Sequence, residues 1–380
     1  MKQLPEDVDI LIVGAGPTGL ALAIGLAVRG MDFAIIDALP EAQNTSRAAV
    51  IHAGTLAALA DLCVVDRMIA QGVRVTSFRT RDRDRVLLHA DFAALRHAPP
   101  FALMIPQDET EAILTERLAE LGHQVIRPLT AMKLEIADSG AVVTFNDGQT
   151  VRARFVVGAD GQNSTIRQQA GIGFPGETYG SFLLADVRMD WPLPRDEVTL
   201  FFSDEGTLVV APMSQDRYRI VAQYPDAPAE PTVADVQAII DQRGPRRGGR
   251  VREILWGSRF RVHHKLATRF REGPVLLLGD AAHVHSPAGG QGMNLGLRDA
   301  VALTTALATA LRDQREEALD DYAANQTAAA QKILRMTDRL TKLATLRTRP
   351  FRIIRNGIIR LVSSLPAVRR NIANLLAGAD

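Results

Sequence analysis

The first forty residues constrain the fold more tightly than any other part of the chain. Val8 to Val13 is a β-branched apolar run that reads as a buried parallel strand, and Leu20 to Val28 is an Ala- and Leu-rich helical stretch. Only Gly14-Ala15-Gly16-Pro17-Thr18-Gly19 separates them. In that setting Gly14 permits a tight turn, Gly16 lets the backbone approach a pyrophosphate, and Gly19 lets the helix pack closely on the strand. The helix N-terminus carries unpaired amide N–H groups and a partial positive charge, which suit phosphates. A second strand, Phe33 to Ile36, ends at Asp37, eighteen residues past Gly19, where a carboxylate can accept hydrogen bonds from ribose hydroxyls. The expectation is a Rossmann-like dinucleotide cradle.

Two further glycine-rich segments follow. One is Gly158-Ala159-Asp160-Gly161 running to Arg167; the other runs from Gly279-Asp280-Ala281-Ala282-His283 to Gly289-Gly290-Gln291-Gly292-Met293-Asn294. Together and in this order the three point to FAD. Only one complete strand–glycine turn–helix fingerprint is present; Gly171-Ile172-Gly173-Phe174-Pro175-Gly176 repeats the spacing without a strand before it and a helix after it, so NADPH or NADH is expected to dock transiently.

At 380 residues the chain can bury a large core, and its net charge of +1 gives no bulk case for nucleic acid. Cys63 is the only cysteine, which excludes a redox-active cysteine pair and a cysteine metal site. His263-His264 is no metal pair either, since adjacent strand residues face opposite ways. The charge-free run Ile10 to Val28 contains Pro17 and several glycines, and the fingerprint explains it better than a membrane span does. A cytoplasmic enzyme, monomeric or homodimeric, is expected.

The fold class expected is α/β: a discontinuous Rossmann-like FAD-binding domain with an inserted β-sheet substrate domain and C-terminal helices. The first comprises residues 1–72, 98–175 and 266–345, the second 73–97 and 176–265, and residues 346–380 are basic helices. Within this scheme Thr55 to Leu62 reads as a helix, and Val75 to Thr80 pairs with Val86 to Ala90. Asp108 caps a helix to Leu121 after the entry loop Ile105-Pro106-Gln107, and Met132 to Phe145 is a hairpin.

These motifs resemble the single-component flavoprotein aromatic hydroxylases of the p-hydroxybenzoate hydroxylase fold, and the phenol and polyketide hydroxylase branch in particular, over about residues 7–330. The resemblance implies that Asp160 and Gly161 lie where FAD and NAD(P)H both approach, that Asp280 contacts the ribityl chain, and that Pro287 to Asn294 passes along the isoalloxazine edge. It also implies that Arg47, in Ser46-Arg47-Ala48, lies beside the flavin, and that Gln107 helps to hold it. The cofactor residues are thus Gly14, Gly16, Gly19, Asp37, Arg47, Gln107, Asp160, Gly161, Asp280, Gly290, Gly292, Met293 and Asn294. Those nearest the chemistry are Pro287, Gly289, Gly290 and Arg47. The implied reaction is hydroxylation of a small aromatic substrate by O2 and NAD(P)H through a flavin C4a-hydroperoxide.

Physical chemistry supports the third motif independently. An apolar strand ending at Asp280 sets a carboxylate at the C-terminal edge of a sheet, glycines leave room for a flat ring, and a following helix points amides at reduced-flavin charge. His283 and His285 are weaker candidates for proton transfer, as are Tyr179, Tyr218 and Tyr224 for orienting a phenol. From Arg339 to Arg370 there are nine Lys and Arg and no Asp or Glu; Pro350 and Pro366 break the stretch, which favours packed helices over membrane docking. Alternatives are a prenyl-lipid or quinone-pathway oxidoreductase, a halogenase-like enzyme, and a non-catalytic flavin-binding redox module.

Overall fold

The computed structural model describes residues 4–42, 48–95, 99–137, 139–214, 216–225, 227–285, 289–344, 356–361, 363 and 365–378. Arg47 and Pro287 lie outside them.

The cofactor half is a seven-stranded sheet. β1 (Asp7–Val13) lies between β2 (Phe33–Ile36) and β10 (Thr150–Gly158), parallel to both. β10 divides its other edge: Thr150–Ala153 pair antiparallel with β9 (Gly140–Phe145), which pairs with β8 (Ala131–Ala137), and Val156–Gly158 pair parallel with β17 (Val275–Leu277). β16 (Arg271–Glu272) closes that side. Helix α1 (Pro17–Val28) packs between this sheet and α7 (Gln291–Arg312), and Leu20, Leu22 and Leu26 are fully buried. The approach to α7 is close, because a Cβ on Gly25 would lie 2.5 Å from Thr304 Oγ1.

An eight-stranded sheet forms the other half, in the order β18 (His283–Val284), β15 (Arg250–Leu266), β11 (Gly176–Asp190), β14 (Arg217–Gln223), β13 (Gly206–Pro212), β12 (Glu197–Ser203), β5 (Ser77–Asp82), β6 (Arg85–Asp91). Helix α6 (Val233–Arg243), started by a Thr232/Asp235 capping box, covers one face. Strand alternation sorts the side chains: Leu183, Ala185, Val187, Tyr218, Ile220 and Ala222 pack in the cluster under α6, so Phe182, Leu184, Asp186, Arg217 and Arg219 take the opposite face. That face meets the cofactor half, where Ala211 and Met213 share a buried cluster with Ala49, Ala53 and Met104.

A small three-stranded sheet, β3 (Val50–Ile51), β7 (Ala102–Met104) and β4 (Val73–Val75), lies at this junction. Val75 therefore belongs to β4, not to the β5–β6 hairpin, whose tip is Arg83 at φ 54°. The helix expected at Thr55 to Leu62 is α2 (Ala53–Ala58) followed by a 3₁₀ turn, Ala60–Leu62. Helix α4 (Gln107–Glu120) has Pro106 as its N-cap; Asp108 lies in the first turn, where a carboxylate interacts with the helix dipole without capping it. Helix α8 (Glu317–Ala344) packs on α7, and α9 (Pro366–Ala377) lies against β6 and the neighbouring Phe92–Ala94 turn, burying Ala373 and Ala377. No helix among the described residues is long and apolar enough to cross a membrane.

Candidate cofactor site

The three glycine motifs meet at the C-terminal ends of β1, β10 and β17, the edge at which parallel sheets bind ligands. Each touches the other two. Ala159 N donates to Val13 O at 2.8 Å, and a Cβ on Gly14 (φ +107°) would lie 2.3 Å from Ala159 O. Gly279 (φ +60°) sits against Thr18, whose Oγ1 is 3.0 Å from where its Cβ would be. Arg167 Nη1 donates to Ala281 O at 2.9 Å, and Leu278 N to Gly158 O at 3.2 Å.

Within this triangle some glycines are required by the protein itself and others face open space. A Cβ on Gly19 would strike Gly14 O at 2.0 Å, so this residue lets α1 start against the strand. Gly16 and Gly161 would meet nothing within 4 Å. Gly16 is also the N-cap of α1 and has no side-chain cap, so the first-turn amides are left to a ligand. A pyrophosphate fits that opening.

Asp37 braces the loop: its Oδ2 accepts from Ala15 N at 2.7 Å and its Oδ1 from Leu39 N at 2.9 Å, with Arg127 at 3.9 Å. Each carboxylate oxygen keeps a lone pair for a hydroxyl. Asp160 Oδ2 accepts from Ile166 N at 3.2 Å at the start of α5 (Thr165–Gln169), and burial raises its carboxyl pKa against the opposing pull of Ser164 and backbone amides. Arg167 lies over Phe174 at 3.9 Å. Asp280 is exposed on the 3₁₀ turn Gly279–Ala281, while both its neighbours are buried.

Gln107 stands at the first position of α4, where its Oε1 accepts from Ala48 N at 3.3 Å and its Nε2 donates to Glu111 at 2.8 Å. Burial raises the Glu111 pKa. Ala48 directly follows the segment containing Arg47.

The Gly289–Gly290 loop is held from the small sheet. Asn294, almost fully buried, donates through Nδ2 to Val50 O and Gly290 O, both at 2.8 Å, and accepts from His52 N at 2.7 Å. Its side chain thus fixes the backbone beside the loop. His52 Nε2 lies 2.8 Å from Gly289 O; a carbonyl only accepts, so Nε2 carries the proton. Burial lowers the His52 pKa to about 4 against the Gly289 bond, with Arg298 adding to the fall. Gly290 (φ +63°) caps α7, and a Cβ there would lie 2.3 Å from Val50 Cγ1. Gly292 lies beside His285, and Met293 packs at the edge of the main apolar cluster.

The remaining candidates separate clearly. His283 is buried against Asp299 and is not placed for proton transfer at an open site. Tyr218 packs under α6 against Trp191 and Arg195, on the face away from the cofactor half, and Tyr224 joins the same cluster. Tyr179's side chain lies outside the described residues. His52, Arg127 and Asp299 were not singled out from sequence. Asp299 left a signal: it is a lone acid beside Gly296, Ala300 and Leu303 on the buried face of α7.

Comparison with known proteins agrees with this geometry. Residues 7–337 match the family described as FAD binding domain. The chain is similar to 6-methylpretetramide 4-monooxygenase of Streptomyces rimosus, at 37% identity over 361 residues, covering 90% of this chain and 64% of that one. It is also similar to pentachlorophenol 4-monooxygenase of Sphingobium chlorophenolicum, at 33% over 348 residues, covering 87% and 64%. The chain thus spans just under two thirds of the length of these two relatives. In fold it resembles the crystal structure of p-nitrophenol 4-monooxygenase PnpA from Pseudomonas putida DLL-E4, with a TM-score of 0.87, 23% identity and 99% of each chain covered.

Proposed function

Since the chain belongs to the FAD-binding domain family matched by its residues 7–337, we propose that it is an NAD(P)H-dependent FAD monooxygenase that uses O2 to hydroxylate an aromatic substrate, phenolic or polycyclic. The observation that carries this reading is the meeting of three glycine motifs at one sheet edge, beside a second sheet whose face opposite α6 packs against the cofactor half. Bound FAD supplies the redox and dioxygen chemistry. The chain's own residues bind, orient and exclude water. Gly16 and the α1 amides take the pyrophosphate, Asp37 the adenosine ribose, and Asp280 the ribityl chain. Gly161 and Asp160 line the approach of NAD(P)H. The α7 N-terminus, opened by Gly290 and Gly292, favours negative charge on the reduced ring.

The aromatic substrate binds on the sheet face opposite α6. Half-buried Phe182 and Phe260 stack there across β11 and β15, with centroids 5.7 Å apart, and offer an apolar platform for a flat ring. The relatives' names, a pentachlorophenol monooxygenase among them, favour an aromatic acceptor.

The test is a screen of phenols and polycyclic aromatics against the purified, FAD-loaded protein. With an accepted ring, NAD(P)H loss matches formation of a product one oxygen heavier, and label from 18O2 but not from water enters it. A halide-dependent chlorinated product, or saturation of a prenyl double bond without oxygen uptake, overturns the hydroxylase assignment. FAD binding without substrate-stimulated NAD(P)H oxidation on any ring favours a non-catalytic flavin module.

A further inference from the structure

The turn that carries Asp280 rests on a buried polar assembly that direct cofactor contacts do not explain. The side chains of His283 and Asp299 are both 0% exposed, and His283 Nε2 lies 2.6 Å from Asp299 Oδ2. The same Oδ2 accepts from Gly279 N at 3.3 Å. Phe270 stacks on the imidazole, with centroids 5.9 Å apart. From α8, fully buried Tyr322 donates to Leu277 O at 2.9 Å, and burial together with Asp299 raises its phenol pKa, so it remains a donor. Arg167 holds Ala281 O from the other side at 2.9 Å. Backbone groups at positions 277, 279 and 281 are therefore each fixed by a different side chain, and within the turn only Asp280 faces outward.

A buried ionic or strongly polar pair adds little net stability over apolar residues of similar volume. What it can add is direction, because hydrogen bonds fix orientation where apolar contacts slide. We propose that His283 and Asp299 are positioning residues for the cofactor: through Gly279 N they set the turn that aims Asp280 at the ribityl chain. The proposal rests on the ribityl assignment of Asp280 made above.

A double-mutant cycle on FAD affinity tests it, read by titrating apoprotein with FAD and following flavin fluorescence, with apoprotein melting recorded alongside. Asp280→Ala and Asp299→Asn should each raise the Kd at least about tenfold. Because the second acts through the first, Asp299→Asn should change the Kd by less than about twofold once Asp280 is already Ala. His283→Gln, which keeps a donor, should stay within about threefold of the parent while His283→Phe does not. An equal penalty in both backgrounds, or a folded Asp299→Asn variant with parental Kd, overturns the inference. A parental Kd for Asp280→Ala withdraws the ribityl assignment and the inference together; a weakened Asp280→Ala beside a flat Asp299→Asn withdraws the inference alone. If Asp299→Asn does not fold, His283→Phe takes its place in the cycle.

Discussion

Around the glycine motifs the protein achieves its fit by removing side chains: Gly14 and Gly19 let backbone meet backbone, and Ile10, Ile12, Leu20 and Ile24 form a fully buried apolar floor. The eight-stranded sheet keeps charge in its interior. Asp186 takes Arg219 Nε at 2.7 Å and Arg217 Nη2 at 2.6 Å, and Glu197 takes Arg79 at 2.7 Å and Arg81 at 3.1 Å. Arg243 reaches back from the end of α6 to Thr207 O and Gln223 O. The contrast separates two kinds of specificity. At Gly14 and Gly19 it is steric, so one residue type at one position suffices. In the second sheet it is electrostatic and depends on partners that only strand register brings together.

The largest effect should come from Gly19→Val, which drives side-chain atoms into Gly14 O and should abolish a folded holoprotein, with a destabilisation above about 4 kcal/mol. Gly16→Ala tests the other half of the steric argument. Its Cβ enters open space, so apoprotein melting should hardly move while FAD affinity falls at least about tenfold. If Gly16→Ala binds FAD like the parent, the opening is not the pyrophosphate seat.

In the charged sheet Asp186→Ala leaves Arg217 and Arg219 facing each other and should cost about 3–5 kcal/mol in guanidinium unfolding. Adding Arg219→Met should recover much of that loss. A cost below about 1 kcal/mol for the single change would erase the distinction between the two regions.

An intermediate effect is expected from pH. Burial holds the folded pKa of His52 at about 4, below the ordinary imidazole value of 6.5, so the unfolded chain binds the extra proton first. Its contribution is complete above about pH 6.5 and is lost as pH falls toward 4, by about 3 kcal/mol in all. His52→Gln should flatten this part of the stability profile between pH 7 and pH 4.5. The smallest effect belongs to Ser164→Ala. Ser164 Oγ accepts from Arg167 N at 2.9 Å at the start of α5, and losing that cap should cost about 1 kcal/mol.

The same contrast governs what could be read from the chain alone. β1, α1, β2 and Asp37 were legible because period, turn glycines and spacing all lie within forty residues. The β8–β9 hairpin and the strand into Asp280 were legible for the same local reason. The sequence pattern points to Asp108 as the cap, whereas Pro106 holds that position, because acids in a first turn and acids at an N-cap look alike until the backbone is known. The pairing of Asp186 with Arg219 depends on the antiparallel register of β11 and β14, and that of Asp299 with His283 on how α7 packs behind β18; neither leaves a mark at fixed sequence spacing. Gln107 illustrates the middle case: family resemblance pointed to it, but its contact with Ala48 needed the fold.

The close seating of Gly25 on Thr304 carries a consequence for biogenesis. Helix α1 packs on α4 as well, but its cover is complete only with α7, and about 280 residues separate Val28 from Arg312 at the end of that partner. β1 must likewise wait for β10, and β10 for β17. At ribosomal rates the nascent chain therefore holds Leu20, Leu22 and Leu26 without their full cover for roughly 15–60 s, long compared with the microseconds in which the helix itself forms. Such non-local pairing slows folding and makes incomplete chains sticky. Ribosome-bound chains that stop before Val275 should accordingly be clients of holding chaperones, and expression yield should respond more to slower synthesis or chaperone supply than to any substitution on the surface.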